Sequence, residues 1–165
     1  VRAALENGIN GIRSSSMGRL FDAVSAVLGL CDENTHQGRC AVACENAARR
    51  AEACGSTPVP MAFAEMPGGV YDPASLFLVL ASAKDKDAAA LGFHRAVIAL
   101  ILHAAERAGL CDVVLAGGVF ANRILLEGCT AALRKRGFSV YWNRLVPSGD
   151  GGVCLGQAYY GLLKG

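Results

Sequence analysis

The sequence lacks several features that would assign it quickly to a class of protein. The longest uninterrupted apolar run, residues 96–102, falls far short of the roughly 20 residues that a membrane-spanning helix needs. No basic segment followed by an apolar stretch opens the chain, so we expect no signal peptide. Positive charge is not concentrated: 16 Lys and Arg against 14 Asp and Glu leave a net charge of +2. We therefore expect neither a membrane nor a nucleic-acid partner.

Paired cysteines are also missing. The chain has seven cysteines, an odd number, and none of them forms a C-x-x-C pair. Zinc ribbons and disulfide frameworks both need closer, paired spacing, so the pattern favours neither. Several of the cysteines stand among alanines and valines, where a thiol serves as a small buried apolar group. We expect a protein of the reducing cytoplasm.

What the sequence does contain is enough apolar residue for one domain. Apolar residues make up 53% of the 165 residues, which predicts a sizeable core. The chain opens at Val1 without methionine and in the middle of a pattern. We therefore expect residues 1–165 to be part of a longer protein.

The segment from Asp112 to Gly161 organises the chain. A short β-branched run, 113–115, predicts a buried strand, and Gly117-Gly118 separates it from a helix. A second predicted strand, 138–142, is followed by the glycine-rich turn 147–152 and a last helix. A glycine-rich turn before a helix lets the backbone approach a phosphate, with free N–H groups and the helix dipole directed at it. Two such turns in one strand–helix–strand–helix unit indicate a phosphate site.

Helices are predicted elsewhere from apolar spacing and from end signals. Serines before Met17 offer N-caps for a helix that Gly29 ends, with an apolar stripe from Met17 to Leu28 that includes Val27. Alanine-rich segments predict two longer helices, 39–53 and 88–108. Short strands are expected at 59–64 and 70–71, with a helix from Asp72-Pro73 through Leu80.

Three segments carry a resemblance to a known family. They are LAGGVFANRILLEG (115–128), VPSGDGGVCLGQAYYG (146–161) and SSSMGRLFDAVSAVLGL (14–30). In this order they resemble the hydrogenase maturation carbamoyltransferase family HypF, which shares a domain with TsaD-type tRNA-modification proteins. The resemblance implies an α/β fold: the C-terminal half of an actin-like, TsaD-like nucleotide-binding module, with helices packed on a small mixed sheet. The other half would belong to the rest of a HypF chain.

The resemblance also implies nucleotide-binding residues. On the matching motifs these are Asp22, Gly117, Gly118 and Asn122. Gly38 matches a glycine that lines the family's nucleotide pocket, although the sequence around it departs from the family pattern. A carboxylate such as Asp22 suits adjacent ribose or substrate hydroxyls because it accepts hydrogen bonds from both. Taken alone, Asp22 also fits a solvated carboxylate on an amphipathic helix, and Asn122 also fits a helix N-cap. For Asn122 both roles can hold at once, with the amide facing the ligand.

Asp150 is the metal-binding residue that the resemblance implies. Hard oxygen ligands suit a divalent ion that also holds phosphate oxygens, although Mg, Zn and Fe all remain open. In the family the other ligands are two histidines outside this chain. Asp150 alone also fits an N-cap for the last helix. His94 and His103 are nine residues apart, do not form a two-histidine metal pair, and are predicted to be hydrogen-bonded helix histidines.

The implied function is transfer of a carbamoyl group in [NiFe]-hydrogenase maturation. Carbamoyl phosphate and ATP would give carbamoyl-adenylate, and the carbamoyl group would pass to the C-terminal cysteine of a HypE-like acceptor. No catalytic residue of this chain is assigned, because the acceptor supplies the nucleophile. The chain by itself is expected to be inactive. Two alternatives stay open: a TsaD-like tRNA threonylcarbamoyladenosine transferase, and a non-catalytic nucleotide-binding subdomain.

Overall fold

A computed structural model of the protein describes residues 2–9 and 14–164. Helices and strands alternate irregularly along the chain. The helices are α1 (Arg2–Glu6), α2 (Met17–Val27), α3 (Arg39–Ala53), α4 (Ala74–Ser82), α5 (Lys86–Ala108), α6 (Arg123–Lys135) and α7 (Val153–Lys164). The strands are β1 (Ala64–Met66), β2 (Val70–Asp72), β3 (Asp112–Leu115) and β4 (Ser139–Trp142), and short 3-10 turns, Gly118–Ala121 and Asp150–Gly152, precede α6 and α7.

Helix α2 begins and ends where its sequence predicts. The Ser16 hydroxyl accepts a hydrogen bond from the Arg19 backbone N–H, which satisfies one of the free donors of the first turn. Gly29 has a φ of +63°, and the N–H of the next residue reaches back into the last turn. The apolar stripe is buried at Phe21 but not at Val27, which is 44% exposed, so the predicted stripe is one residue too wide.

Helices α3 and α5 pack against each other in the centre of the core. Alanines 47, 48 and 51 of α3 are almost fully buried, and their small side chains allow close approach. Gly92 of α5 also has no room for a side chain, because a Cβ there would lie 2.1 Å from the Val59 carbonyl oxygen. Helix α5 is long enough to cross a membrane, and an 18-residue window of it has a mean hydropathy of 1.6. However, 56% of that window is buried inside the protein. We interpret it as a core helix.

The strands form two separate pairs in the described residues. Strands β1 and β2 pair antiparallel as a hairpin, whereas β3 and β4 pair in parallel, with Leu115 opposite Trp142. In place of one mixed sheet, the described residues form one antiparallel and one parallel two-stranded sheet. The strand expected at 59–64 is shifted: β1 begins at Ala64, and the Val59 N–H donates instead to the Ala88 carbonyl at the start of α5.

Two regions are more exposed than the sequence predicts. Strand β3 was predicted to be buried, yet Val114 is 67% exposed, and only Leu115 is fully covered. Leu115 and Val140 join the core on one face of the two-stranded sheet, and Val114 lies on the other, open face. Helix α7 has the predicted start and length, but none of its side chains is buried in the described structure. Its apolar residues project away from the core.

Candidate functional site

The two glycine-rich turns lie in contact with each other. The Gly117 N–H donates a hydrogen bond of 2.7 Å to the Ser148 carbonyl. A Cβ at Gly149 would lie 3.2 Å from the Cα of Gly118. This contact follows from the parallel pairing of β3 and β4, since both turns leave the carboxyl ends of neighbouring strands. Ligands of open α/β sheets bind in the crevice beyond that edge.

Glycine is required at particular points of these turns. Gly117 has φ +103° and ψ 158°, a conformation that is essentially restricted to glycine. A Cβ at Gly152 would lie 2.4 Å from the Pro147 carbonyl oxygen. Gly118 differs, because its φ is ordinary and nothing lies within 4 Å of a Cβ placed there. The space in front of Gly118 is therefore open to a ligand.

The N-terminus of α6 is already capped. The Asn122 Oδ1 accepts from the Leu125 N–H at 3.1 Å, and the Glu45 Oε1 of α3 accepts from the Arg123 N–H at 3.1 Å. A carboxylate at this end also occupies the positive end of the helix dipole. Two of the N–H groups in the first turn of α6, those of Arg123 and Leu125, therefore already have acceptors within the protein. The N–H groups of the turn at Gly118 and of the turn before α7 also precede the first internal hydrogen bond of each turn, so they are further candidate donors to a phosphate.

Asn122 is turned into the protein. It is 9% exposed, and its Nδ2 lies 2.9 Å from Nε2 of His94, which is completely buried in α5. The His94 Nδ1 lies 2.7 Å from the Ala90 carbonyl, an acceptor, so Nδ1 carries the proton and Nε2 accepts from Asn122. Burial lowers the pKa of His94, which keeps the ring neutral. The capping role of Asn122 is seen, and its nucleotide contact stays a prediction.

Asp22 lies on α2, which contacts the turn at Gly118–Ala121, and Gly38 directly precedes α3. Asp22 is half-buried, and one of its oxygens is 3.3 Å from the Arg19 guanidinium. The pKa of Cys40 is raised to about 11 by burial, by its hydrogen bond to Cys31 and by nearby charge, including that of Asp22. Helix α2, which carries Asp22, packs against α3, the helix that follows Gly38. Gly38 itself has φ +79° and open space around it.

Asp150 is exposed and begins the turn that leads into α7. Gly149 holds the N-cap position of this turn and Gly152 directly precedes α7, so Asp150 is the N-cap residue of neither element. Residues 2–9 and 14–164 contain no cluster of three or more His, Cys, Asp or Glu that could hold a metal. Asp150 can thus supply one oxygen ligand, and this chain's described residues do not complete a metal site.

Three participants were not predicted from the sequence. Glu45 and His94 reach the start of α6 from α3 and α5, and Ser148 joins the two turns through its carbonyl. The contacts of Glu45 and His94 span 78 and 28 residues of sequence, so no local pattern reports them. The sequence offers two signals of a buried polar contact. They are a charged Glu among the alanines of α3 and a His in the apolar half of α5.

Known proteins resemble this chain along nearly all of its length. The family model described as "Carbamoyltransferase, Kae1-like domain, second subdomain" matches residues 1–157. Carbamoyltransferase HypF of Synechocystis is 34% identical over 145 residues, which cover 87% of this chain and 19% of that protein. The crystal structure of a full-length HypF in a phosphate- and nucleotide-bound form superposes with a TM-score of 0.82 at 31% identity, and the match covers 99% of this chain and 22% of that one.

A tRNA-modifying enzyme shares a shorter segment. The tRNA N6-adenosine threonylcarbamoyltransferase of Ralstonia pickettii is 46% identical over 63 residues, which cover 38% of this chain and 18% of that enzyme. The chain spans about a fifth of the length of the HypF proteins that it matches.

Proposed function

The chain belongs to the HypF carbamoyltransferase family, and from that membership we propose that it forms one wall of the nucleotide cleft of an ATP-dependent carbamoyltransferase. One observation carries the proposal: the two glycine-rich turns meet at the carboxyl edge of β3 and β4, joined by the Gly117–Ser148 hydrogen bond. The nucleotide-bound form of the related HypF supports ATP as the ligand. Gly118 and the turn at Asp150 would face the phosphates, and Asp22 and Gly38 would face the nucleoside or the carbamoyl group.

The proposed reaction takes place in the cytoplasm and ends in a group transfer to a second protein. Carbamoyl phosphate would be hydrolysed to carbamate and phosphate. A carbamate oxygen would then attack the α-phosphorus of ATP, which gives carbamoyl-adenylate and releases pyrophosphate. The thiolate of a C-terminal cysteine on a HypE-like acceptor would attack the carbamoyl carbon. The bond from that carbon to the phosphate oxygen breaks, AMP leaves with the electron pair, and a thiocarbamate forms. This chain's residues hold and orient the adenylate, which turns the attack into an effectively intramolecular step.

A bound divalent ion would neutralise phosphate charge. In this chain Asp150 is the residue proposed to contact it, with the remaining ligands supplied by the rest of a HypF chain. Asp150 is exposed at the first residue of the turn that leads into α7, a position that fits a ligand role.

Carbamoyl transfer by the full-length protein tests the proposal. With carbamoyl phosphate, ATP, Mg²⁺ and the acceptor, Asp150→Ala should abolish modification of the acceptor cysteine, measured by mass spectrometry, without lowering the Tm. Asp112→Ala, which removes another exposed carboxylate at the opposite end of β3, is the matched control and should retain transfer. Near-normal transfer by Asp150→Ala would remove the metal role.

Threonylcarbamoyl transfer to tRNA is the second candidate. The match to the Ralstonia pickettii enzyme favours it over that one segment. The near-neutral net charge of +2 argues against an RNA partner. Replacing the acceptor protein by tRNA in the same assay separates the two, and modification of tRNA alone would decide for the second. Modification of neither substrate, with ATP bound, would indicate a non-catalytic nucleotide-binding subdomain.

A further inference from the structure

The first turn of α6 is held by buried polar side chains from two other helices. We propose that His94 and Glu45 are positioning residues that fix Asn122 and the start of α6 behind the Gly117–Gly118 turn. This inference rests on the proposed nucleotide site, because it assigns these two residues the task of keeping that turn in place.

His94 sets the orientation of the Asn122 amide. Its Nδ1–H is committed to the Ala90 carbonyl at 2.7 Å, which leaves only the Nε2 lone pair to face Asn122. That lone pair can accept from the amide nitrogen of Asn122 but cannot bond to its oxygen. The Oδ1 of Asn122 is therefore directed to the Leu125 N–H, where it caps α6.

Glu45 fixes the neighbouring donor. Its Oε1 accepts from the Arg123 N–H at 3.1 Å and also receives the Arg49 guanidinium at 2.6 Å. Glu45 is only 9% exposed, and its negative charge is balanced by Arg49 and by the positive end of the α6 dipole. The two contacts together attach the start of α6 to α3 and α5.

Helix α2 completes the enclosure. The Phe21 ring packs edge-on against His94 with ring centroids 5.1 Å apart, and it also packs against Phe93. The residue after Phe21 is Asp22, a proposed nucleotide contact. Movement of His94 would thus be felt at both Asn122 and α2.

Stability alone does not account for this network. Replacing a buried polar or ionic network by apolar side chains of similar volume is often neutral or stabilising. Its surroundings are apolar, since Phe21, Phe93, Val97 and Leu125 are almost fully buried. What a polar network supplies that an apolar one does not is a single fixed orientation of the Asn122 amide and of the turn before it.

The test measures ATP binding and turnover in the full-length protein. His94→Leu removes the acceptor for Asn122, whereas His94→Gln keeps an acceptor and a donor. His103→Leu on the exposed side of the same helix is the matched control. We expect His94→Leu to raise the Kd and the KM for ATP by roughly 2- to 10-fold, the worth of one hydrogen bond. His94→Gln and His103→Leu should stay within about twofold of the wild type, smaller than that loss.

The outcomes separate the two proposals. Wild-type ATP affinity in a folded His94→Leu variant would overturn the positioning role while leaving the nucleotide site intact. No ATP binding by the wild type would overturn the nucleotide site itself. If His94→Leu does not fold, Glu45→Ala is compared with Glu45→Gln, which retains an oxygen for the Arg123 N–H. A raised Kd in Glu45→Ala but not in Glu45→Gln supports the inference, and an unchanged Kd in both contradicts it.

Discussion

Gly92 offers a sharp test of the packing between α5 and the segment before β1. A Cβ at this position would lie 2.1 Å from the carbonyl oxygen of Val59 and 3.1 Å from its nitrogen. Because non-bonded heavy atoms pack about 3.5 Å apart, the Val59 backbone must retreat by roughly 1 Å in Gly92→Ala. That movement strains the 3.1 Å hydrogen bond from the Val59 N–H to the Ala88 carbonyl.

The expected magnitude follows from three terms. Overpacking costs about 1–3 kcal/mol and a weakened hydrogen bond about 0.5–1.5 kcal/mol. Replacing glycine by alanine inside a helix returns about 1 kcal/mol. We therefore expect Gly92→Ala to lower the free energy of unfolding by about 0.5–3.5 kcal/mol.

Two other helical glycines calibrate the measurement. At Gly128 the added Cβ meets the Ile98 side chain, with Cδ1 at 2.3 Å and Cγ1 at 3.2 Å, and a rotamer change of Ile98 can relieve that contact. At Gly18 the nearest atom is 3.7 Å away, so alanine should stabilise by about 0.4–1 kcal/mol. Urea unfolding followed by circular dichroism should rank stability as Gly18→Ala, then Gly128→Ala, then Gly92→Ala. A Gly92→Ala variant as stable as Gly18→Ala would refute the packing described here.

Two further predictions concern titratable groups. Burial lowers the pKa of His94 in the folded chain, so below its ordinary pKa of about 6.5 the unfolded chain binds a proton that the folded chain does not. The free energy of unfolding should then fall as pH decreases, by at most about 1.4 kcal/mol per pH unit. In urea titrations at several pH values, His94→Gln should lose the part of this pH dependence that comes from His94, because the nearby charges Glu45 and Arg95 are unchanged. The same dependence of unfolding free energy on pH in both proteins would contradict the prediction. Burial raises the pKa of the Cys44 thiol to about 12. Iodoacetamide should therefore label the exposed Cys54 in the folded chain and Cys44 only after unfolding. Similar labelling rates for the two thiols in the folded chain would show that α3 is not packed as described.

The sequence predicts the elements of this fold well because their signals are local. Helix α3 spans Arg39–Ala53 as expected, since Gly38 and Gly55 at its two ends adopt positive φ. The position of β4 and the start of α7 are also close to the prediction. Family membership and the α/β fold follow from the three motifs and are confirmed by the comparisons.

The site could be predicted only in part. Both glycine-rich turns were expected, but their contact depends on the parallel pairing of β3 with β4, which is a tertiary feature. The capping of the α6 N-terminus depends on Glu45, which is distant in sequence. Its carboxylate accepts from the Arg123 N–H, a donor that a phosphate would otherwise have used. The exposure of Val114 likewise reflects the small extent of the sheet, which strand propensity does not report.

The most direct test of the nucleotide wall is a calorimetric titration of the full-length protein with ATP and Mg²⁺, comparing Gly118→Val with the wild type. The ordinary φ of Gly118 and the open space around it allow valine without disturbing the fold, while the new side chain fills the space in front of the turn. Ala131→Val, on the exposed face of α6, is the matched control. The account predicts that Gly118→Val keeps the wild-type Tm and loses ATP binding, while Ala131→Val keeps both. Unchanged ATP affinity in Gly118→Val would mean that the phosphates do not bind at this turn.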